Sequence, residues 1–152
     1  MTTRRSTEYA TFSIERRYKA TPERVYAAWA NRETKSRWFG DPESGDADYQ
    51  LDFRVGGLEF SRGGPPGGPV YTYRATYQDV VPNERIAFSH TIDAGDRRIS
   101  VCVSTVEFEA TGDATRMTYT EQGVFLDGLD TPQIRQVGTD EMLDSLERYL
   151  AQ

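Results

Sequence analysis

The sequence predicts an α+β domain in which one antiparallel sheet carries helices on one face. Six consecutive segments from Asp48 onward alternate apolar with polar residues, and GG, GGPPGG, PNE, AGD and TGDA divide them. Glycine supplies positive φ in such dividers, and proline or aspartate favours turn geometry. Two other stretches switch to helical period, one near the start and one at the end. At 152 residues the chain supports one core and buries roughly 70% of its unfolded surface.

The elements follow in order. YATFSIERRYKA (Tyr9 to Ala20) alternates as a half-buried strand does. In TPERVYAAWA, Thr21 suits an N-cap, Pro22 the first helical position and Glu23 the first turn. Val25, Ala28 and Trp29 then share one helix face. NRETKSRWFG offers a second cap at Asn31 and a stop at Gly40, so a short helix carrying Trp38 and Phe39 at its end is expected. DPESGDAD reads as a solvated acidic loop, because the ligand alternation of a calcium loop is missing. The six strands are DYQLDFRV, LEFSR, VYTYRATYQDVV, RIAFSHTID, RRISVCVSTVEFEA and TRMTYTEQ, and short turns between them predict an antiparallel meander. GGPPGG is a hairpin loop and a lip for any neighbouring cavity. It is no phosphate cradle, since a strand follows it and no Lys-Ser/Thr pair is present. From Ile134 onward, Thr139, Met142, Leu143, Leu146 and Leu150 form one stripe of a long amphipathic helix.

Composition narrows the function classes. The chain is 37% apolar and 28% charged, with 9 Tyr, 7 Phe and 2 Trp, which fits a folded domain rather than a disordered or membrane one. A net charge of -6 with scattered basic residues argues against nucleic acid as a partner. Met1 to Thr7 lacks the apolar core of a secretory signal and no apolar run spans a bilayer, so a cytoplasmic protein without membrane partners is expected. The domain spans residues 1–152, with 1–8 as a flexible tail. One cysteine, Cys102, and one histidine, His90, give no basis for a disulfide, a structural metal or a cofactor.

The phrases TPERVYAAWAN, DFRVGGLEF, QDVVPNERIAFSH, VEFEATGDATRMTYTEQGVF and GTDEMLDSLERYL, in that order, resemble the SRPBCC superfamily. Within it they are similar to the branch of homologues of the C-terminal domain of the heat-shock-protein-90 ATPase activator. The resemblance covers about Ser13 to Leu150. It implies a helix-grip fold, with a curved sheet around the C-terminal helix and a cavity between them for an apolar or amphipathic molecule. It implies no particular reaction, since carriers, cyclases, resistance proteins and chaperone cofactors share the fold.

Strand alternation fixes which side chains face that cavity. Val106 and Phe108 face in, so Ser100, Cys102 and Ser104 do too, and Ile99, Val101 and Val103 face out, where a homodimer contact would cover them. His90 shares its face with Ile86 and Phe88, and Tyr119 with Met117 and Glu121. Tyr71, Tyr73 and Tyr77 share the aromatic face of their strand. The expected binding set is Trp38, Tyr73, Tyr77, His90, Ser100, Cys102, Ser104, Tyr119 and Glu121, opposite Met142 and Leu146, with Tyr71 as a further ligand contact. An aromatic wall with a few polar groups suits a small hydrophobic or aromatic ligand. The alternatives are a cyclase-, dehydratase- or hydrolase-like enzyme using His90 with Glu121 or Tyr119 as catalytic groups, and a chaperone-activator-like protein-binding module.

Overall fold

A curved seven-stranded antiparallel sheet runs β1-β7-β6-β5-β4-β3-β2 across its width. The computed structural model describes residues 4–40 and 48–152; the expected acidic loop, apart from Asp48, lies outside them. In chain order the elements are β1 (Thr7–Tyr18), α1 (Pro22–Ala30), α2 (Arg32–Lys35), β2 (Asp48–Leu51), β3 (Leu58–Gly63), β4 (Tyr71–Val81), β5 (Arg85–Ala94), β6 (Arg97–Thr111), β7 (Ala114–Leu126) and α3 (Pro132–Leu150). From β2 to β7 each strand pairs with the next in sequence, and β1 closes onto β7.

Local chemistry starts both longer helices. Thr21 accepts from the Arg24 N–H at 3.2 Å, and Thr131 accepts from the Ile134 N–H at 3.1 Å, which satisfies otherwise unpaired helix N–H groups. Val25, Ala28 and Trp29 of α1 are buried, as are Leu143, Leu146 and Leu150 of α3. They meet Ile86, Val106 and Met117 from the sheet in one core, where each fully buried large side chain contributes roughly 1.5–3 kcal/mol. Edge strand β1 fastens α3: Arg16 pairs with Asp140 at 3.1 Å and Asp144 at 2.7 Å, and the Tyr18 hydroxyl donates to the Leu143 carbonyl at 3.1 Å.

Several boundaries differ from the sequence expectation. α2 is a single turn ending at Lys35, and Trp38 and Phe39 follow in a turn instead of closing a helix. β1 begins at Thr7, inside the expected tail, because Asp127 accepts from the Ser6 N–H at 2.9 Å and from Arg5 at 2.9 Å. β2 stops at Leu51; the next residues turn back so tightly that a Cβ on Gly57 would sit 2.0 Å from the Asp52 carbonyl oxygen. GGPPGG joins β3 to β4 with Gly63 opposite Tyr71, a hairpin connection. Ile99 is buried, not outward, because the β5–β6 register slips between Ile92 and Asp93 and breaks the alternation there. Val101 and Val103 remain exposed, as does Ile134 at the start of the α3 stripe. Among the described residues no helix is long and apolar enough to cross a membrane.

Candidate functional site

Between the concave face of the sheet and α3 lies a cleft of about 1110 Å³. Trp29, Phe39, Tyr73, Phe88 and Tyr119 form its aromatic wall, and Met142 and Thr139 of α3 face them. The His90 ring is flanked by Tyr73 and Phe88, with centroids at 5.4 and 5.5 Å.

Sheet register assembles a polar network on the cleft floor. His90 lies opposite Cys102, and Ser104 opposite Glu121, so all four side chains fall on the inward face. Glu121 Oε1 accepts from the Tyr119 hydroxyl at 2.8 Å and from Ser104 Oγ at 3.1 Å. His90 Nε2 lies 2.8 Å from Ser104 Oγ and 3.5 Å from Glu121 Oε1. Counting protons fixes the role of Nε2 in the network. Ser104 has one hydrogen and directs it at the carboxylate, so its oxygen accepts from His90 Nε2–H. In the neutral ring Nδ1 then carries the lone pair, and among the described residues it has no hydrogen-bond partner. Trp29 Nε1, a donor on the cleft wall, also lacks one.

Arg135, on the first turns of α3, completes the network. It donates to Glu121 Oε2 at 2.8 Å, Asp130 Oδ2 at 2.8 Å, Ser100 Oγ at 2.6 Å and Cys102 Sγ at 3.6 Å. Burial pushes the Glu121 carboxyl upward, but His90, Arg135 and Tyr119 outweigh it and hold the group at about 2. Burial, reinforced by the Glu121 charge, pushes the Cys102 thiol up to about 12, so it is no ready nucleophile. Tyr119 is raised well above its ordinary value by burial and Glu121. One nitrogen of His90, Cys102 Sγ and one Glu121 oxygen lie within 4.8 Å of one another, three residues that the sequence placed on one face as a binding set and not as metal ligands. The Arg135 guanidinium already donates to two of the three, so a metal dication there would sit beside a fixed positive charge.

A second buried cluster adjoins the same cleft. Lys35 Nζ reaches Glu59 Oε2 at 2.7 Å and the Tyr77 hydroxyl at 3.3 Å. Glu59 also accepts from Tyr77 at 2.8 Å and from Tyr49 at 2.5 Å. Burial lowers the Lys35 amine despite the opposing pull of Glu59, and raises Tyr49, Tyr73 and Tyr77.

Of the residues expected at the site, Tyr73, His90, Tyr119, Glu121 and Met142 line the cleft. Ser100, Cys102 and Ser104 lie behind them in the network, and Leu146 is in the core. Trp38 does not line the cleft: its ring is buried against Trp29 and its Nε1 donates to the Ala28 carbonyl at 3.0 Å. Phe39, the next residue, takes the wall position. Tyr77 belongs to the Lys35–Glu59 cluster, and Tyr71 is exposed beyond the end of the cleft. GGPPGG does not border it. Lys35, Glu59 and Arg135 were not anticipated. Arg135 had a signal: it stands four residues before Thr139 and seven before Met142, so the α3 stripe extended by one turn reaches it.

Comparisons place this geometry among known proteins. An uncharacterized protein from Rhizobium leguminosarum is 44% identical with a TM-score of 0.93, over 98% of this chain and 99% of that one. A Rhizobium loti protein is 43% identical at TM-score 0.89, over 95% and 99%. A Chromobacterium violaceum protein, 21% identical at TM-score 0.77 over 92% and 96%, shares the fold. No curated protein matches. Residues 19–151 match the family described as Activator of Hsp90 ATPase homolog 1-like protein, and the chain belongs to that family, within the SRPBCC superfamily.

Proposed function

We propose that the chain binds a small aromatic or otherwise apolar molecule in the cleft, held by a hydrogen bond to His90. The observation that carries this reading is the Nδ1 of a buried histidine on the aromatic-walled cleft, which has no partner among the described residues. A buried polar atom without a partner costs roughly 1–3 kcal/mol, and a ligand O–H or N–H donated to Nδ1 removes that cost. Trp29 Nε1 on the same wall offers a donor, so the fitting ligand has an apolar body with both a donor and an acceptor, as in a hydroxylated aromatic. Native mass spectrometry against a library of such compounds, followed by calorimetry, tests the reading. His90→Leu is expected to weaken binding about tenfold, the value of one hydrogen bond, and Tyr71→Ala to leave it unchanged. A library without a binder, or a binder indifferent to His90→Leu, overturns it.

One feature favours a second reading, in which the cleft is catalytic. A histidine with Nε2 oriented by Ser104 and Glu121 and Nδ1 free has the arrangement of a positioned general base. A bound compound that changes mass over time with wild-type protein, but not with His90→Gln, supports this reading.

A further inference from the structure

The chain contains 16 arginines but only two lysines, Lys19 and Lys35. Lys19 is exposed. Lys35 is 1% exposed and lines the cleft, with its Nζ 4.5 Å from the Phe39 ring centre and 5.2 Å from that of Trp29. For a buried ion pair alone, arginine is the better residue, because its planar fork meets a carboxylate with two parallel bonds and it always stays charged. Lysine differs in one chemical respect: its nitrogen can lose a proton and attack a carbonyl carbon. Lys35 has the groups that this step needs around it. Glu59 lies 2.7 Å from the nitrogen as a proton acceptor. The Tyr77 hydroxyl, at 3.3 Å, is hydrogen-bonded to the same carboxylate and can return a proton.

We propose that Lys35 captures an aldehyde or ketone carried by an aromatic ligand in the cleft, condensing with it to an iminium ion and releasing one water. In the step, Glu59 takes a proton from the ammonium and the freed lone pair forms a bond to the carbonyl carbon. The carbonyl oxygen takes a proton from Tyr77, which Glu59 restores. A second Nζ proton moves by way of Glu59 to the resulting hydroxyl, and the C–O bond breaks as water leaves. An ammonium and a carbonyl thus become an iminium and water, with no electrons gained or lost. The product carries the same single positive charge, so the pairing with Glu59 persists throughout. Burial among aromatic rings lowers the Lys35 amine, which enlarges the fraction of neutral nucleophile. The inference rests on the cleft admitting an aromatic guest, and it adds a covalent bond that the binding reading does not require.

Benzaldehyde with sodium cyanoborohydride tests it on the intact protein. The expected result is one benzyl group per chain, mapped by peptide mass spectrometry to Lys35 and forming faster than modification of the exposed Lys19. Lys35→Arg keeps the positive charge opposite Glu59 and is expected to lose this modification while circular dichroism stays native. Modification confined to Lys19 and the N-terminal amine overturns the proposal. If benzyl alcohol binds in native mass spectrometry but benzaldehyde is not trapped on Lys35, imine capture fails and the binding site stands. If neither binds nor traps, both fail.

Discussion

Replacing Glu121 by Gln keeps the side-chain volume and both oxygen-directed donors, Tyr119 and Ser104, yet removes the charge that Arg135 and His90 face. The structure sets the size of the effect. Relative to its ordinary value of 4.5, the carboxyl is held at about 2, which at about 1.4 kcal/mol per tenfold change amounts to about 3 kcal/mol of folding stability. Because the folded value lies below the unfolded one, this stability is present in full above 4.5 and is lost as pH falls through about 2. Urea unfolding of wild type and Glu121→Gln, from pH about 7 in steps down to about 3, measures the difference directly. A gap of about 3 kcal/mol near neutrality, narrowing once the solution drops below the ordinary carboxylate range, is the expected outcome. A gap independent of pH, or none at neutrality, refutes the idea that this carboxylate is stabilised by Arg135 and by the hydrogen bonds of its neighbours.

Three other outcomes follow from local geometry. Gly123→Ala places a Cβ 2.5 Å from the Val101 carbonyl oxygen and 2.6 Å from Cys102 Sγ, so the strands must part; a loss of about 1–3 kcal/mol in thermal or urea unfolding is expected. Thr131→Ala removes the acceptor for the Ile134 N–H and should cost about 1 kcal/mol, read the same way. Cys102, buried and with its thiol pushed up to about 12, should resist a thiol-reactive disulfide reagent in native buffer and react promptly in urea; fast native labelling contradicts the burial.

The element order and the inward faces of β5, β6 and β7 were legible because each strand there has an apolar anchor. Val106 and Phe108 fix the phase of Ser104 and Cys102, and Ile86 and Phe88 fix that of His90. β3 defeats the same logic. In LEFSR the apolar Leu58 is 62% exposed and Glu59 is 1% exposed, because the partners of Glu59, Lys35 and Tyr77, come from segments 24 and 18 residues away. Alternation records a residue's own polarity, not a distant partner that makes its burial tolerable. Ile99 escaped for another reason: a one-residue slip in pairing reverses the outward phase, and nothing in RRISVCV announces it. Phe39 stands in the wall position expected of Trp38 because a helix ending at Lys35 rather than near Gly40 turns their side chains differently.

The two buried clusters together balance the charge on the cleft floor. Lys35 and Arg135 supply two positive charges, and Glu59, Glu121 and Asp130 three negative ones, all on largely buried side chains. Arg37, Arg148 and Glu141 also line the cleft and add two positive charges and one negative one, so the formal charges of these side chains cancel. Lys35 and Arg135 are already paired with the buried carboxylates, so a charged guest on the cleft floor would lose its water without gaining a free partner there.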